Sequence, residues 1–175
     1  YNSSLDSYDQ AVQLKSDFVD AFFSAGVSLF NLKYYTEAIK AYDQVISLRP
    51  GFDSAYYNKG IALQSLHNVD CAIDCFNLAI AFQKNRADFY HARGNAYLSL
   101  KNFKHAISDY EECLQLSPEY EFLPGLLLHI KTKICDWSNF DKLVGNLCVG
   151  INQGMHKSPC FPVLSLCDEL NVHYN

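Results

Sequence analysis

VDAFFSAGVSLFNLKYYTEAIKAYDQVISLRPGF (residues 19–52), DSAYYNKGIALQSLHNVDCAIDCFNLAIAFQKNR (53–86) and ADFYHARGNAYLSLKNFKHAISDYEECLQLSPEY (87–120) follow one another without a gap, and each is 34 residues long. Stacked in register, Gly26, Gly60 and Gly94 coincide, as do Ala38, Ala72 and Ala106, and Tyr42, Phe76 and Tyr110. Phe22, Tyr56 and Tyr90 each stand four residues before the glycine. Pro50 and Pro118 fall at the same place in the first and third blocks, with Lys84 in the second. Self-similarity at a fixed period of this length marks a repeat architecture.

Each block has room for two helices. Apolar residues recur at three and four, as in Ala38, Ile39, Tyr42, Val45 and Ile46. The short polar stretches Leu32-Lys33-Tyr34, Leu66-His67-Asn68 and Leu100-Lys101-Asn102 predict tight turns between antiparallel neighbours. Pro50 and Pro118 cannot continue a helix and mark its end. The predicted pairs are Asp20–Asn31 with Tyr35–Leu48, Ser54–Ser65 with Val69–Phe82, and Asp88–Ser99 with Phe103–Leu116. Helices of roughly 13 residues are about 20 Å long and marginal alone, so the pairs must stack to bury their apolar faces. Glycine on one helix and alanine on the next are expected to let the two backbones approach, with Tyr42, Phe76 and Tyr110 filling the space beyond.

This pattern of aromatic, glycine, alanine, aromatic and proline resembles the tetratricopeptide repeat. The resemblance implies an all-α, right-handed superhelical solenoid of antiparallel helix pairs. Residues 1–118 read as the array, with a partial repeat over 1–18 ahead of the three full ones. In that partial repeat, Tyr8, Ala11 and Ser16 lie one period before Tyr42, Val45 and Pro50, which implies that the sequence starts inside a longer solenoid. Residues 119–155 read as a divergent repeat or a capping hairpin, with one helix over Glu121–Cys135 entered at Pro124 and another over Phe140–Ile151. Residues 156–175 read as a linker and a short terminal helix.

The chain has 175 residues, 49% hydrophobic and 19% charged, and so can build a core. Its formal net charge of −5, without a Lys/Arg cluster, argues against nucleic acid and against an anionic membrane surface. No apolar run is long enough to span a bilayer. Seven cysteines at irregular spacing read as reduced, small apolar residues of a cytoplasmic protein. Cys71 and Cys75 could share a metal, but no second Cys or His pair follows at zinc spacing, so no metal site is assigned. There is no phosphate loop, nucleophile elbow or two-histidine motif, and no cofactor or catalytic residue is assigned. His129, between apolar residues, reads as a partly buried, hydrogen-bonded histidine; Asp136 and Trp137 read as a turn and a packing anchor.

Leu123-Pro124-Gly125-Leu126-Leu127-Leu128-His129, Lys133-Ile134-Cys135-Asp136-Trp137-Ser138, Gly150-Ile151, Ser158-Pro159 and Phe161-Pro162-Val163-Leu164 together resemble a junction. It is the one joining repeats to the catalytic region in SPINDLY-type, O-linked N-acetylglucosamine transferase-like proteins of glycosyltransferase family 41. This resemblance implies the repeat region of a longer glycosyltransferase-like protein, whose nucleotide-sugar site would lie beyond these residues.

The functional candidate is the concave face that the first helix of each pair would line. On it fall Phe23, Val27 and Phe30, then Tyr57, Asn58 and Ile61, then His91 and Asn95. Aromatics mixed with amides suit an extended peptide, the amides bonding its backbone and the aromatics taking its side chains. The resemblance to the transferases adds an inner asparagine ladder, kept at Asn58 but replaced by Ser24 and Ala92. The competing reading is that Phe23, Val27 and Phe30 pack against a neighbouring repeat. A clamp for a peptide C-terminal carboxylate would keep Asn58 but has Phe23, Val27, Asp88 and Ala92 where basic and amide groups are needed. The expected function is a protein-interaction scaffold for a protein or peptide partner. The alternatives are a self-association module forming a homo-oligomer, or the N-terminal part of a protein O-glycosyltransferase acting in catalysis.

Overall fold

The computed structural model describes residues 18–120, 122–141 and 143–145. The expected partial repeat over 1–18, save residue 18 itself, the hairpin beyond 145, the linker and the terminal helix lie outside the described residues, as do Cys148, Cys160 and Cys167. The described residues are all-α, with no strand among them. The helices are α1 (18–31), α2 (Tyr35–Leu48), α3 (Asp53–Ser65), α4 (Val69–Phe82), α5 (Ala87–Ser99), α6 (Phe103–Leu116) and α7 (Leu123–Lys133), and a further helix begins at 140. They form two compact units, one up to Asn85 and one from Arg86.

In the first unit α1 pairs with α2 and α3 with α4. Tyr56 stacks on Phe82 while Tyr57 meets Phe76, so residue numbers rise on one helix as they fall on the other, which makes the pair antiparallel. Val19, Val45 and Ala55 form one buried cluster, with Phe22, Phe23, Ile46, Leu48 and Phe52 packed on it. In the second unit α5 and α6 are likewise antiparallel, with Arg93 on Asp109 and Tyr97 on His105. Its core joins Ala106, Ile107, Tyr110 and Cys113 to Leu123, Leu127 and Ile130 of α7.

The glycines act differently from the expectation. A Cβ on Gly26, Gly60 or Gly94 would lie 2.6, 2.5 or 2.6 Å from Cε1 of Tyr42, Phe76 or Tyr110 respectively. The aromatic ring does not fill space beyond a backbone contact; it lies on the glycine itself. Phe76 and Tyr110 are fully buried there, and Ala38, Ala72 and Ala106 are fully buried beside them.

The helix ends repeat as strictly as the core. Lys33, His67 and Lys101 all have φ near +60°. The amides of Tyr34, Asn68 and Asn102 bond the carbonyls of Leu29, Leu63 and Tyr97, each at 2.9 Å. These are six-to-one closures of the kind usually made with glycine. Cys135, one further period on, also has positive φ, and the Asp136 amide bonds the Lys131 carbonyl at 2.9 Å. The repeat phase thus persists through α7 and its turn. The next helix then starts at 140 rather than at 137, where the period would place it. Arg49 and Ser117, each before a proline, are extended at φ −139° and −142°. Gln83 matches them at −141° although Lys84 follows it, so proline is not needed to end the helix.

Candidate functional site

One cavity of about 210 Å³ opens in the first unit, lined by Val27, Phe30 and Asn31 of α1, Tyr42 of α2, and Asn58 and Ile61 of α3. Four of the expected binding residues, Val27, Phe30, Asn58 and Ile61, come together around it. The helix pairing brings them there. Val27 and Phe30 lie one turn apart on α1, and Asn58 and Ile61 lie one turn apart on α3. Tyr42 rises between the two rows because its ring sits on Gly26. The lining carries no charged group. The Asn58 carboxamide makes no hydrogen bond among the described residues, which leaves its donor and acceptor available.

Phe23 and Tyr57 are not among the lining residues and are engaged with other rings. Phe23 lies 6.0 Å from Tyr42 and edge-on to Phe52 at 5.0 Å, so it packs on the segment leading into the next repeat. Tyr57 lies 6.0 Å from Phe76. Both are only part-exposed.

His91 and Asn95 belong to the second unit and are tied inward. The Tyr110 hydroxyl donates to Asn95 Oδ1 at 2.7 Å. That leaves Asn95 Nδ2 facing His91 Nε2 at 3.4 Å, a contact only an unprotonated Nε2 can accept. The imidazole lies 4.7 Å from Tyr120 and 6.1 Å from Tyr110. Burial holds its pKa below the ordinary histidine value. Asn95 therefore spends its amide on Tyr110 and His91.

Two groups escaped sequence reasoning. Lys131 is 1% exposed. Its Nζ meets Glu111 Oε1 at 2.7 Å, Ser138 Oγ at 3.2 Å, the Ser138 carbonyl at 3.3 Å and Asp136 Oδ2 at 3.8 Å. The signal was its place four after Leu127 and three after Leu128, on the apolar face of α7. Arg93 forms a two-pronged pair with Asp109, at 2.9 Å from Nε and 2.6 Å from Nη2, with Asp109 5% exposed.

Other expectations change. His129 is exposed, not part-buried: the buried Leu128 and Ile130 beside it in sequence each point about 100° away from it round the helix. Trp137 is 60% exposed and meets Phe140 edge-on at 5.1 Å, so it does not anchor the core. Asp136 does form the expected turn, its Oδ1 accepting from the Ser138 amide at 3.0 Å. Cys75 and Cys113 are buried, which pushes each thiol up to about 11, whereas Cys71 and Cys135 are exposed. Among the described residues no three His, Cys, Asp or Glu gather as metal ligands, and no helix is long and apolar enough to cross a membrane.

Residues 19–52 and 87–120 each match the tetratricopeptide repeat family. No curated protein sequence matches the chain. Among solved structures it is similar to the first TPR of Spaghetti (RPAP3) bound to the HSP90 peptide SRMEEVD, with a TM-score of 0.66 and 26% identity over 69% of this chain and 95% of that one. It is similar to the first TPR domain of human RPAP3, with a TM-score of 0.64 and 25% identity over 70% and 96% of the two chains. It is also similar to MamA, with a TM-score of 0.72 and 19% identity over 87% and 90%.

Proposed function

We propose that this chain, built of tetratricopeptide repeats, is a protein-interaction scaffold that holds a partner peptide against the first helices of its pairs. The observation that carries the reading is the cavity between α1 and α3, where the Asn58 carboxamide, without a hydrogen bond among the described residues, stands among the apolar walls of Val27, Phe30 and Ile61. An amide in such a setting pairs with a peptide backbone, and the walls take its side chains. Phe23 packs on the lining residue Tyr42, Tyr57 packs on Phe76, and His91 and Asn95 shape the second unit through Tyr110. No catalytic step is assigned to these residues.

The first TPR of Spaghetti (RPAP3) is bound to an HSP90 peptide, which supports peptide capture by this fold. The uncharged lining argues against a carboxylate clamp here: without Lys or Arg the charge-assisted bonds to a terminal carboxylate are missing. The wider context of a longer glycosyltransferase-like polypeptide rests on the resemblance of the Leu123–Ser138 stretch and of the later short motifs.

The test is a peptide array probed with the intact chain and with an Asn58→Ala, Ile61→Arg double variant. Retained peptides should bind the variant at least about tenfold more weakly, the loss expected for one backbone pairing and one apolar contact. Equal binding by a variant that melts normally would refute the cavity as the site.

A further inference from the structure

Positions 42 and 110 hold the same residue in the same register, yet among the described residues only the Tyr110 hydroxyl has a hydrogen-bond partner. Tyr110 donates to Asn95 Oδ1. The place of Asn95 in the first repeat is taken by Val27, which offers no acceptor. The Tyr42 hydroxyl accordingly has no hydrogen-bond partner among the described residues, although Tyr42 is 1% exposed. Burial without a partner pushes its pKa up to about 12. The second repeat avoids the problem by pairing Phe76 with Ile61. Among the described residues no fully buried side-chain polar atom lacks a partner. Tyr42 lines the cavity with Val27, Phe30, Asn31, Asn58 and Ile61, and its hydroxyl is the one polar group it brings there.

We propose that this cavity takes the carboxamide side chain of a glutamine or asparagine on the bound peptide, its carbonyl oxygen accepting from the Tyr42 hydroxyl and its NH2 donating to the Asn58 carboxamide. The inference rests on the peptide-binding reading above and names the residue that the site selects. The third repeat shows that a carboxamide fits against a tyrosine in this register, because Asn95 does so internally. Chemistry points the same way. A buried hydroxyl and an unbonded amide remain unpaired if an aliphatic side chain fills the space. A carboxylate or an ammonium would enter a lining that offers it no counter-charge. Size agrees as well. At about 210 Å³ the cavity is below the roughly 300–1,000 Å³ of small-molecule sites and suits one side chain. Tyr42 is the most buried lining residue, so a side chain reaches its hydroxyl more readily than a peptide main chain does.

The experiment screens the intact chain against displayed peptide pools, randomised except for one central residue fixed as Gln, Asn, Leu, Glu or Lys. Glutamine or asparagine pools should be retained about tenfold or more above the glutamate and lysine pools, and above the leucine pool. Tyr42→Phe should erase that preference. Val27→Asn, which supplies the carboxamide internally, should erase it too and raise the melting temperature. Tyr42→Phe should melt at or above the parent, whereas Tyr110→Phe, which strands Asn95, should melt below it. A preference for another residue, a carboxamide preference that survives Tyr42→Phe, or equal melting losses for the two Tyr→Phe variants would overturn the proposal. If pools bind without a carboxamide preference, the selectivity fails and the scaffold reading stands. If no pool binds, both fail.

Discussion

Gly60→Ala isolates the contact on which each helix pair depends. The added methyl would lie 2.5 Å from Phe76 Cε1 and 2.9 Å from both Cδ1 and Cζ. Ordinary carbon contacts lie at about 3.5–4.0 Å, so the ring must retreat by roughly 1 Å. Phe76 is fully buried and has no open side to retreat into. Overpacking of this kind costs about 1–3 kcal/mol, while replacing a mid-helix glycine with alanine returns about 0.5–1 kcal/mol. The expected net is a loss of about 1–2 kcal/mol. Gly145 supplies the control: it too is helical, but no described residue lies within 4 Å of its added Cβ, so Gly145→Ala should gain about 0.5–1 kcal/mol.

Urea unfolding followed by helical circular dichroism measures both, provided the slope with denaturant is unchanged. Assigning the loss to the ring needs a third variant. In a Phe76→Leu background the obstacle is smaller, and Gly60→Ala should become neutral or stabilising, a coupling of at least about 1 kcal/mol between the two sites. If Gly60→Ala stabilised as much as Gly145→Ala, or if the coupling stayed below about 0.5 kcal/mol, ring-on-glycine packing would not be what joins the helices.

Two further predictions concern the second unit. His91 is held neutral by burial, so its folded pKa lies below the value of 6.5 it approaches when unfolded. The unfolded chain therefore binds the proton first, and stability should be full above about pH 6.5 and fall as the pH drops from there through the folded pKa. His91→Gln should flatten that part of a melting-temperature series; an unchanged slope would show that His91 is not the group responsible. Lys131→Met keeps the buried stem but removes the ammonium shared by Glu111 and Ser138. It should cost about 1–3 kcal/mol in urea unfolding, the worth of charge-assisted bonds with their partners left behind; a neutral result would mean that those contacts contribute nothing net.

Period and patterning carried most of the fold, and the reason is physical. A 34-residue stride repeats every helix, turn and core contact, so three copies average out the ambiguity of one. The predicted helices end within two residues of the observed ones, because turns and prolines punctuate each copy. What lay on the glycines was not legible. A small residue in a sequence signals close approach but not which atom approaches, and here it is the ring of Tyr42, Phe76 or Tyr110. His129 was misread for a related reason: neighbours in sequence stand about 100° apart on a helix, so apolar neighbours do not bury it. Lys131, two residues on, falls within the apolar stripe and is buried.

The departures from exact repetition tell more about function than the repetition does. Tyr110 with Asn95 and Phe76 with Ile61 are each self-consistent pairs, polar with polar and apolar with apolar. Tyr42 with Val27 is the one mismatched pair of the three, and a cavity opens at Tyr42. Both sequence positions were in view, but the mismatch has meaning only once the Tyr110 hydroxyl is known to donate to Asn95. The fourth phase shows the same logic in the backbone. Cys135 keeps the positive φ of Lys33, His67 and Lys101, yet Leu128 stands where the glycines do, and no ring can lie on it as Tyr110 lies on Gly94. With the glycine lost, the following helix is free to slip its register, and it begins three residues late. A copy that keeps the turn but loses the glycine has given up the contact that makes neighbouring pairs alike, which is the behaviour expected where an array gives way to something else.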